Sequence, residues 1–344
     1  MTDEVTPTHI RKQDHLRINL EEDVASGLTT GLEKIHLPHQ ALPELNLADV
    51  DLSTTFLGKS LQAPILISSM TGGTSDAARI NEHLAVAAQE HGIAMGLGSQ
   101  RAALEEPDLA DTFKVRSFAP DILLFANLGA VQLNYGYGPD ECALAVDMVD
   151  ADALVLHLNP LQEALQPGGN TEFKDLASKI ESVCRAVTVP VLVKEVGWGI
   201  STDTARLLIE CGVAGIDVAG AGGTSWSQVE MHRSSSPEQA LTASLFRSWG
   251  LPTAIAVRDL AQTFPDVPLI GSGGLRNGVH LAKVLALGAD LGGFAGPMLK
   301  AAASSTDAVS SVIQRICREL RISMFAAGCC DIATLNSLPA RMTA

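Results

Sequence analysis

Between residues 63 and 296 eight short apolar runs alternate with stretches of helical length, and that alternation restricts the chain to a parallel sheet joined by crossover helices. The runs are APILISSM (63–70), IAMGLGS (93–99), DILLFANLG (121–129), ALVLHLNP (153–160), VPVLVKEVG (189–197), GIDVAG (215–220), VPLIGSGG (267–274) and LGGFAG (291–296). They are nearly continuous in Val, Ile, Leu and Ala, so both faces of the sheet must be covered. Six segments, DAARINEHLAVAAQEHG, DECALAVDMVDA, EFKDLASKIESVCRAV, TDTARLLIECG, GVHLAKVLALGA and DAVSSVIQRICREL, carry apolar residues at three-to-four spacing and read as amphipathic helices. Eight such units suit a closed barrel better than an open doubly wound sheet. The expected class is therefore α/β, a (β/α)8 TIM barrel over residues 63–344 with an N-terminal extension over 1–62. The extension has only weak periodicity and reads as an appendage. The polar segment from Ser225 to Glu238 follows the sixth run and reads as a mobile active-site flap.

Charge and cysteine usage narrow the function. Lys and Arg total 24 against 39 Asp and Glu, a net charge of −15 at pH 7, which argues against a broad grip on nucleic acid or an anionic membrane. Any anion must be held in a local pocket. The six cysteines form no CxxC pair, and adjacent Cys329 and Cys330 cannot bridge each other, so they read as reduced and the protein as cytoplasmic. No apolar run of about 18 residues is present, and none is expected to span a membrane.

In barrels of this kind chemistry gathers at the C-terminal strand ends, and here all eight ends are polar or glycine-rich. Gly271–Arg276 and Ala295-Gly296-Pro297 lie where barrels build phosphate sites from backbone N–H groups, although tight turns alone would also use those glycines. Lys194 shares a strand face with Leu192 and Val196. It needs an anionic partner, and its open readings are a lysine reaching the barrel mouth, a Schiff-base nucleophile, or a fixed cation beside a ring. His157 and Asn159 share a face, followed by Gln162 and Glu163, a cluster able to bind a polar ligand. Glu163 is either a solvated carboxylate or one arm of a Mg²⁺ site completed by a diphosphate. Arg11, Lys12, His15 and Arg17 form a basic cluster, with Arg11 and His15 on one helical face; phosphate capture and a solvated terminus are both open. Gln100-Arg101 offers a second anion-binding point on the rim.

Taken together, RKQDH, SSMTGG, GLGSQR, HLNPLQE, QPGG, KEVGWG, AGAGGTSW and GSGGLRNG resemble the signature series of the type 2 isopentenyl-diphosphate isomerases, flavin-dependent barrels, over residues 11–297. The resemblance implies interconversion of isopentenyl and dimethylallyl diphosphate with reduced FMN, Mg²⁺, and NADPH as flavin reductant without net redox change. It also implies a homo-oligomer, commonly a tetramer, for which the C-terminal MFAAGCCDIATLNSL is a candidate interface. By position it assigns FMN to Met70, Thr71, Gly72, Ser99, Asn127, Lys194, Thr224, Gly274, Leu275, Arg276, Ala295 and Gly296, the last two groups of residues holding the phosphate. Substrate falls to Arg11, Lys12, His15, Ser99, Gln100, Arg101, His157, Asn159 and Gln162, and the metal to Glu163. The catalytic candidates are Gln162, Lys194 and His157. Ala219 stands where the pattern expects a serine, which removes a flavin contact. No carboxylate pair is evident, so the reduced flavin is expected to relay the proton at N5 while Lys194 steadies charge near N1.

Two alternatives stand beside this. An FMN-dependent 2-hydroxy-acid oxidase or dehydrogenase also uses a lysine on the fifth strand, but it needs a His-Gly-Gly-Arg stretch where this chain has Gly222-Gly223-Thr224-Ser225-Trp226, with no histidine before His232. A non-catalytic barrel that binds a phospho-ligand is the other.

Overall fold

The computed structural model describes the backbone of residues 8–338 and 341–342 and the side chains of residues 11–338. Each apolar run holds one strand: β1 Ile65–Ile67, β2 Ala94–Gly96, β3 Leu124–Gly129, β4 Ala153–His157, β5 Val191–Lys194, β6 Gly215–Asp217, β7 Leu269–Ser272 and β8 Leu291–Phe294. All eight pair in parallel and in sequence order, and β8 closes onto β1. The result is a closed (β/α)8 barrel.

Local signals explain where the helices begin and end. Described helices used below are α1 Thr8–Glu21, α2 Ser75–His91, α3 Pro139–Val149, α4 Leu176–Ala186, α5 Thr202–Glu210, α6 Trp226–Arg233, α7 Thr253–Thr263, α8 Gly278–Ala286 and α9 Thr306–Ala327. Thr74, Ser201, Asn277 and Ser305 cap α2, α5, α8 and α9 by accepting an N–H from the first turn. The periodic segments correspond to α2, α3, α4, α5, α8 and α9, and α9 continues seven residues past the expected end at Leu320. The crossover α7, between β6 and β7, was not among the periodic segments: its buried face, Thr253, Ala254, Ala256, Val257 and Leu260, is made mostly of small side chains. Between β2 and β3 the connection is only the short helix Arg101–Glu105 and the 3-10 segment Pro107–Thr112.

The expected mobile flap is a correction. Residues 226–233 form α6, in which Ser227, Gln228, Val229 and Glu230 are at most 2 % exposed, because the helix is covered by α1. The C-terminal stretch packs one face on the barrel. Met324, Cys329, Ile332 and Leu335 are buried in the same cluster as the barrel wall.

Residues of the N-terminal extension are packed into that cluster too, through Leu32, Ile35, Val50 and Leu52. The segment after α1 lies across the glycine turns at the mouth: Ser26 N–H donates to Gly223 O at 2.8 Å, and Ser225 N–H to Val24 O at 2.8 Å. The approach is so close that a Cβ on Gly222, whose φ is +123°, would lie 2.3 Å from Thr30 N. At the opposite end, a hairpin of Thr54–Phe56 and Lys59–Leu61 inserts Phe56 and Leu61 into the apolar barrel interior. Among the described residues no helix is long and apolar enough to cross a membrane.

Candidate active site

Inward positions alternate along a strand. The apolar interior layer includes Leu66, Ala94, Phe125, Val155, Leu192, Ile270 and Leu291. Two residues further toward the C-terminal mouth, the same faces carry Ser68, Gly96, Asn127, His157, Lys194, Ser272 and Gly293, and β6 adds Asp217 as the register partner of Lys194. The barrel therefore has a hydrocarbon base and a polar floor above it.

The floor is internally bonded. His157 Nδ1 lies 2.9 Å from Asn127 Oδ1, Lys194 Nζ donates to Glu195 O at 2.6 Å, and Asp217 Oδ1 accepts from Ser272 Oγ at 2.5 Å and from Ala219 N–H at 3.3 Å. Burial lowers the Lys194 pKa while Asp217 and Glu195 oppose that fall, and burial raises Asp217 while Lys194 opposes it. Burial, with the charges of Lys194 and Lys12, drops His157 to about 3, so its ring is neutral. Burial raises Glu195 to about 7, against N–H donors from Val196, Gly197 and Trp198 that hold one carboxylate oxygen.

A flavin fits this floor on the chemistry of its donors. Ser68 Oγ is buried without a partner, and Gly293 packs so closely that a Cβ there would come within 2.7 Å of that oxygen, so only glycine fits beside it. At the rim a Cβ on Gly296 would meet nothing within 4 Å, and exposed Arg276 makes no hydrogen bond or ion pair among the described residues. Together they leave room and positive charge for a phosphate tail beside the Gly273-Gly274 turn.

A second recess lies under α1. Arg11 has burial lowering its pKa, with Glu163 opposing and Arg101 and Arg233 adding repulsion. Lys12 is drawn down to about 7 by burial and then by Arg11; its Nζ donates to Ser99 O at 2.6 Å and stands 4.9 Å from the Phe113 ring centre. His15 Nε2 is 3.0 Å from Glu230 Oε1 and its ring meets Trp226 edge-on at 5.0 Å. Glu230 also accepts from Arg233 Nε at 2.8 Å and Gln162 Nε2 at 3.4 Å. Burial raises the Glu230 pKa, but His15 and Arg233 outweigh it and hold the carboxylate below its usual range. Arg233 Nη2 is buried and unpartnered. Cations thus converge under α1, and one buried guanidinium nitrogen among them is unpartnered.

Glu163 borders that recess, its Oε1 accepting from Asn159 Nδ2 at 3.0 Å and its Oε2 from Asn170 N–H at 2.7 Å and Gln166 Nε2 at 3.3 Å. Asn159 Oδ1, also buried, has no partner. The two oxygen ligands suit a hard divalent ion whose remaining ligands come from substrate and water. No group of three or more His, Cys, Asp or Glu side chains able to hold a metal occurs among the described residues.

The structure thus brings Arg11, Lys12, His15, Ser99, Arg101, Asn159, Gln162 and Glu163 to one recess, and Asn127, His157 and Lys194 to the floor beside it. Met70 packs on the barrel core, Thr71 O accepts Gly98 N–H at 3.2 Å, and Gly72 adjoins Phe113, so this turn offers mainly backbone to the mouth. Leu275 is buried in the core and Thr224 is bridged to Ala25, while Gly274, Ala295 and Gly296 border the mouth. Gln100 differs from expectation. It is fully buried, donating to Ala145 O at 2.7 Å and accepting Asn127 N–H at 2.9 Å, so it supports Asn127 from behind and is not on the rim. Ala219 keeps a φ of +37°.

Sequence reasoning passed over Ser68, Asp217, Glu230 and Arg233. The signal for Asp217 was a lone carboxylate in an apolar run, one strand from the lone lysine. For Glu230 and Arg233 it was an acid–base pair three residues apart, beside the equally spaced apolar pair Trp226 and Val229.

Comparison with known proteins follows the same lines. The profile of the FMN-dependent dehydrogenase family matches residues 21–111 and 161–340. The isopentenyl-diphosphate delta-isomerase of Synechocystis sp. is 56% identical over 329 residues, covering 95% of this chain and 93% of its own. That of Rickettsia bellii is 52% identical over 332 residues, covering 96% and 97%. Among solved structures, a flavocytochrome b2 variant superposes with TM-score 0.68 at 16% identity, over 96% of this chain and 83% of that one. A mandelate oxidase variant carrying an FMN adduct gives 0.67 at 17% identity, over 97% and 98%. At such identities these two structures share the fold.

Proposed function

The chain belongs to the isopentenyl-diphosphate delta-isomerases, built on the barrel of the FMN-dependent dehydrogenase family, and we propose that its mouth interconverts isopentenyl and dimethylallyl diphosphate with reduced FMN as the acid/base. The observation that carries this reading is a juxtaposition: a polar floor with one buried lysine lies beside a cluster of Arg11, Lys12, Arg101 and Arg233.

An isolated alkene is a very weak base, so shifting its double bond demands a proton given at one carbon and removed at another. When bound, reduced FMN supplies a ring that can donate and accept that proton. Arg11, Lys12, Arg101 and Arg233 bind the diphosphate and orient the chain over the floor. The docked anion offsets the repulsion between Arg11 and Lys12 and restores the Lys12 ammonium. Glu163 and Asn159 hold Mg²⁺ against the diphosphate, and Gln162 presents a neutral amide to the alkenyl end. With FMN bound, Lys194 would set a positive charge against the ring, and neutral His157 and Asn127 would bond its polar edge. The cover of α1 on α6, with Glu230 1 % exposed between them, keeps bulk water from the reacting carbons. Gly274, Arg276, Ala295 and Gly296 take the FMN phosphate, and NADPH serves only to reduce the flavin. Residues 1–62 contribute α1 to the substrate site of a cytoplasmic homo-oligomer; six free cysteines and exposed Leu241, Leu245 and Trp249 support that setting.

The test is an anaerobic assay with isopentenyl diphosphate, FMN, Mg²⁺ and NADPH that follows product and NADPH together. Dimethylallyl diphosphate should exceed consumed NADPH many-fold. Product in one-to-one ratio with NADPH, or none at all, would refute the reading.

A further inference from the structure

The polar floor holds one lysine and one aspartate side by side on adjacent strands. Lys194 and Asp217 are register partners on β5 and β6, both inward, and both side chains are closed off from solvent at 8 % and 3 % exposure. Asp217 is fixed from two sides, by Ser272 Oγ from β7 at 2.5 Å and by its own strand end through Ala219 N–H at 3.3 Å. Lys194 has a single hydrogen bond among the described residues, to the carbonyl of Glu195. A carbonyl accepts from an ammonium more strongly than from a neutral amine, but it can accept from either, so that bond by itself does not hold Lys194 charged. The charged groups acting on Lys194 are Asp217 and Glu195, and Glu195 is turned to the three N–H groups of its own turn. His157 from β4 is neutral, and Lys12 acts on that ring from the other side. Among the described residues, Asp217 is thus the floor carboxyl group beside the lysine in strand register, and the larger of the two acting on it.

We propose that Asp217 is a positioning residue: anchored by Ser272, it keeps Lys194 an ammonium in the barrel floor, and through Lys194 it lets the reduced flavin carry its negative charge at N1. The inference rests on the reading that Lys194 lies against the flavin ring. Without Asp217 the buried lysine would shed its proton, because an isolated ammonium is poorly tolerated where water is excluded. The flavin would then lose its fixed cation although Lys194 remained in place.

The test is an anaerobic pH titration of the reduced holoenzyme, following N1 ionisation by absorbance, with the midpoint potential and steady-state kinetics measured alongside. In Asp217→Asn the ionisation should move up by about one pH unit or more, the potential should become more negative, and kcat should fall about tenfold or more. KM should stay within about twofold of wild type, and Asp217→Glu should return the ionisation, the potential and kcat toward wild type. An ionisation that stays put or moves down in Asp217→Asn overturns the proposal, since Lys194 then holds its charge unaided. Lys194→Met separates the two levels. If it leaves the ionisation unmoved, the placement of Lys194 against the flavin fails; if it moves the ionisation and Asp217→Asn does not, only the role of Asp217 fails. Should Asp217→Asn not retain flavin, Ser272→Ala, which removes only the hydroxyl anchor, is titrated under the same criterion, with a smaller upward shift expected and no shift overturning the proposal.

Discussion

Lys12 loses its proton readily because its ammonium is buried beside Arg11; its pKa falls to about 7. The free enzyme therefore changes charge near neutrality at the point where the diphosphate must dock. Below about 7 the ammonium is present and attracts the anion; above it the amine is neutral and the attraction weakens. The prediction is that kcat/KM for isopentenyl diphosphate declines on the alkaline side of about pH 7. Lys12→Arg, whose guanidinium stays charged, should remove that decline or carry it well upward. A pH profile of kcat/KM for both proteins checks this, and parallel profiles would count against the role of Lys12.

At the scale of elements, α6 carries the polar groups that tie α1 to the barrel. Glu230 is 1 % exposed and binds His15 of α1, Arg233 of its own helix and Gln162 after β4. Removing one partner of such a buried network leaves the others uncompensated, at a cost of about 3–5 kcal/mol. Glu230→Gln should therefore lower unfolding free energy toward that range and speed amide exchange in residues 8–21 relative to α2. Equal exchange in the two proteins would show that apolar contacts of Ile18, Val24, Val229 and Trp226 alone hold the helix down. The same contacts explain why a segment that reads as a flap is buried. Ser227 bonds Ser225 and Gln228, and Glu230 bonds His15, Gln162 and Arg233, so these groups need no water, and Arg233 Nη2 is left without a partner.

Across the whole molecule the barrel separates stability from chemistry along its axis. The interior is hydrocarbon at the hairpin end, where Phe56 is 3 % exposed, and becomes polar two residues before the mouth. Phe56→Ala should cost about 3–5 kcal/mol by opening a cavity, while the bound-flavin spectrum and the KM for isopentenyl diphosphate remain those of wild type. Denaturant unfolding and steady-state kinetics on one preparation check both halves. A changed KM would mean that the base of the barrel is not mechanically separate from its mouth. Charge is divided in the same manner: the chain carries −15 overall, yet Arg11, Lys12, Arg101 and Arg233 gather in one recess.

Within that barrel, the eight strands and six of its helices were legible from the chain because burial on both faces leaves an apolar run, and burial on one face leaves a period, whatever the tertiary partners. Lys194 and the HLNPLQE cluster were legible for a related reason: a charge in an apolar strand, or polar groups crowded after one, contradicts its surroundings. Gln100 shows the limit. Its amide turns inward to Asn127 and Ala145 because of where β2, β3 and α3 meet, and nothing at positions 99–101 encodes that meeting. Asp217 is paired with Lys194 only by strand register, and Glu230 with His15 only by the docking of two helices more than 200 residues apart in the chain. Local periodicity fixes which residues turn inward. The partners they find there depend on barrel closure and helix docking, which bring together groups that have no relation along the chain.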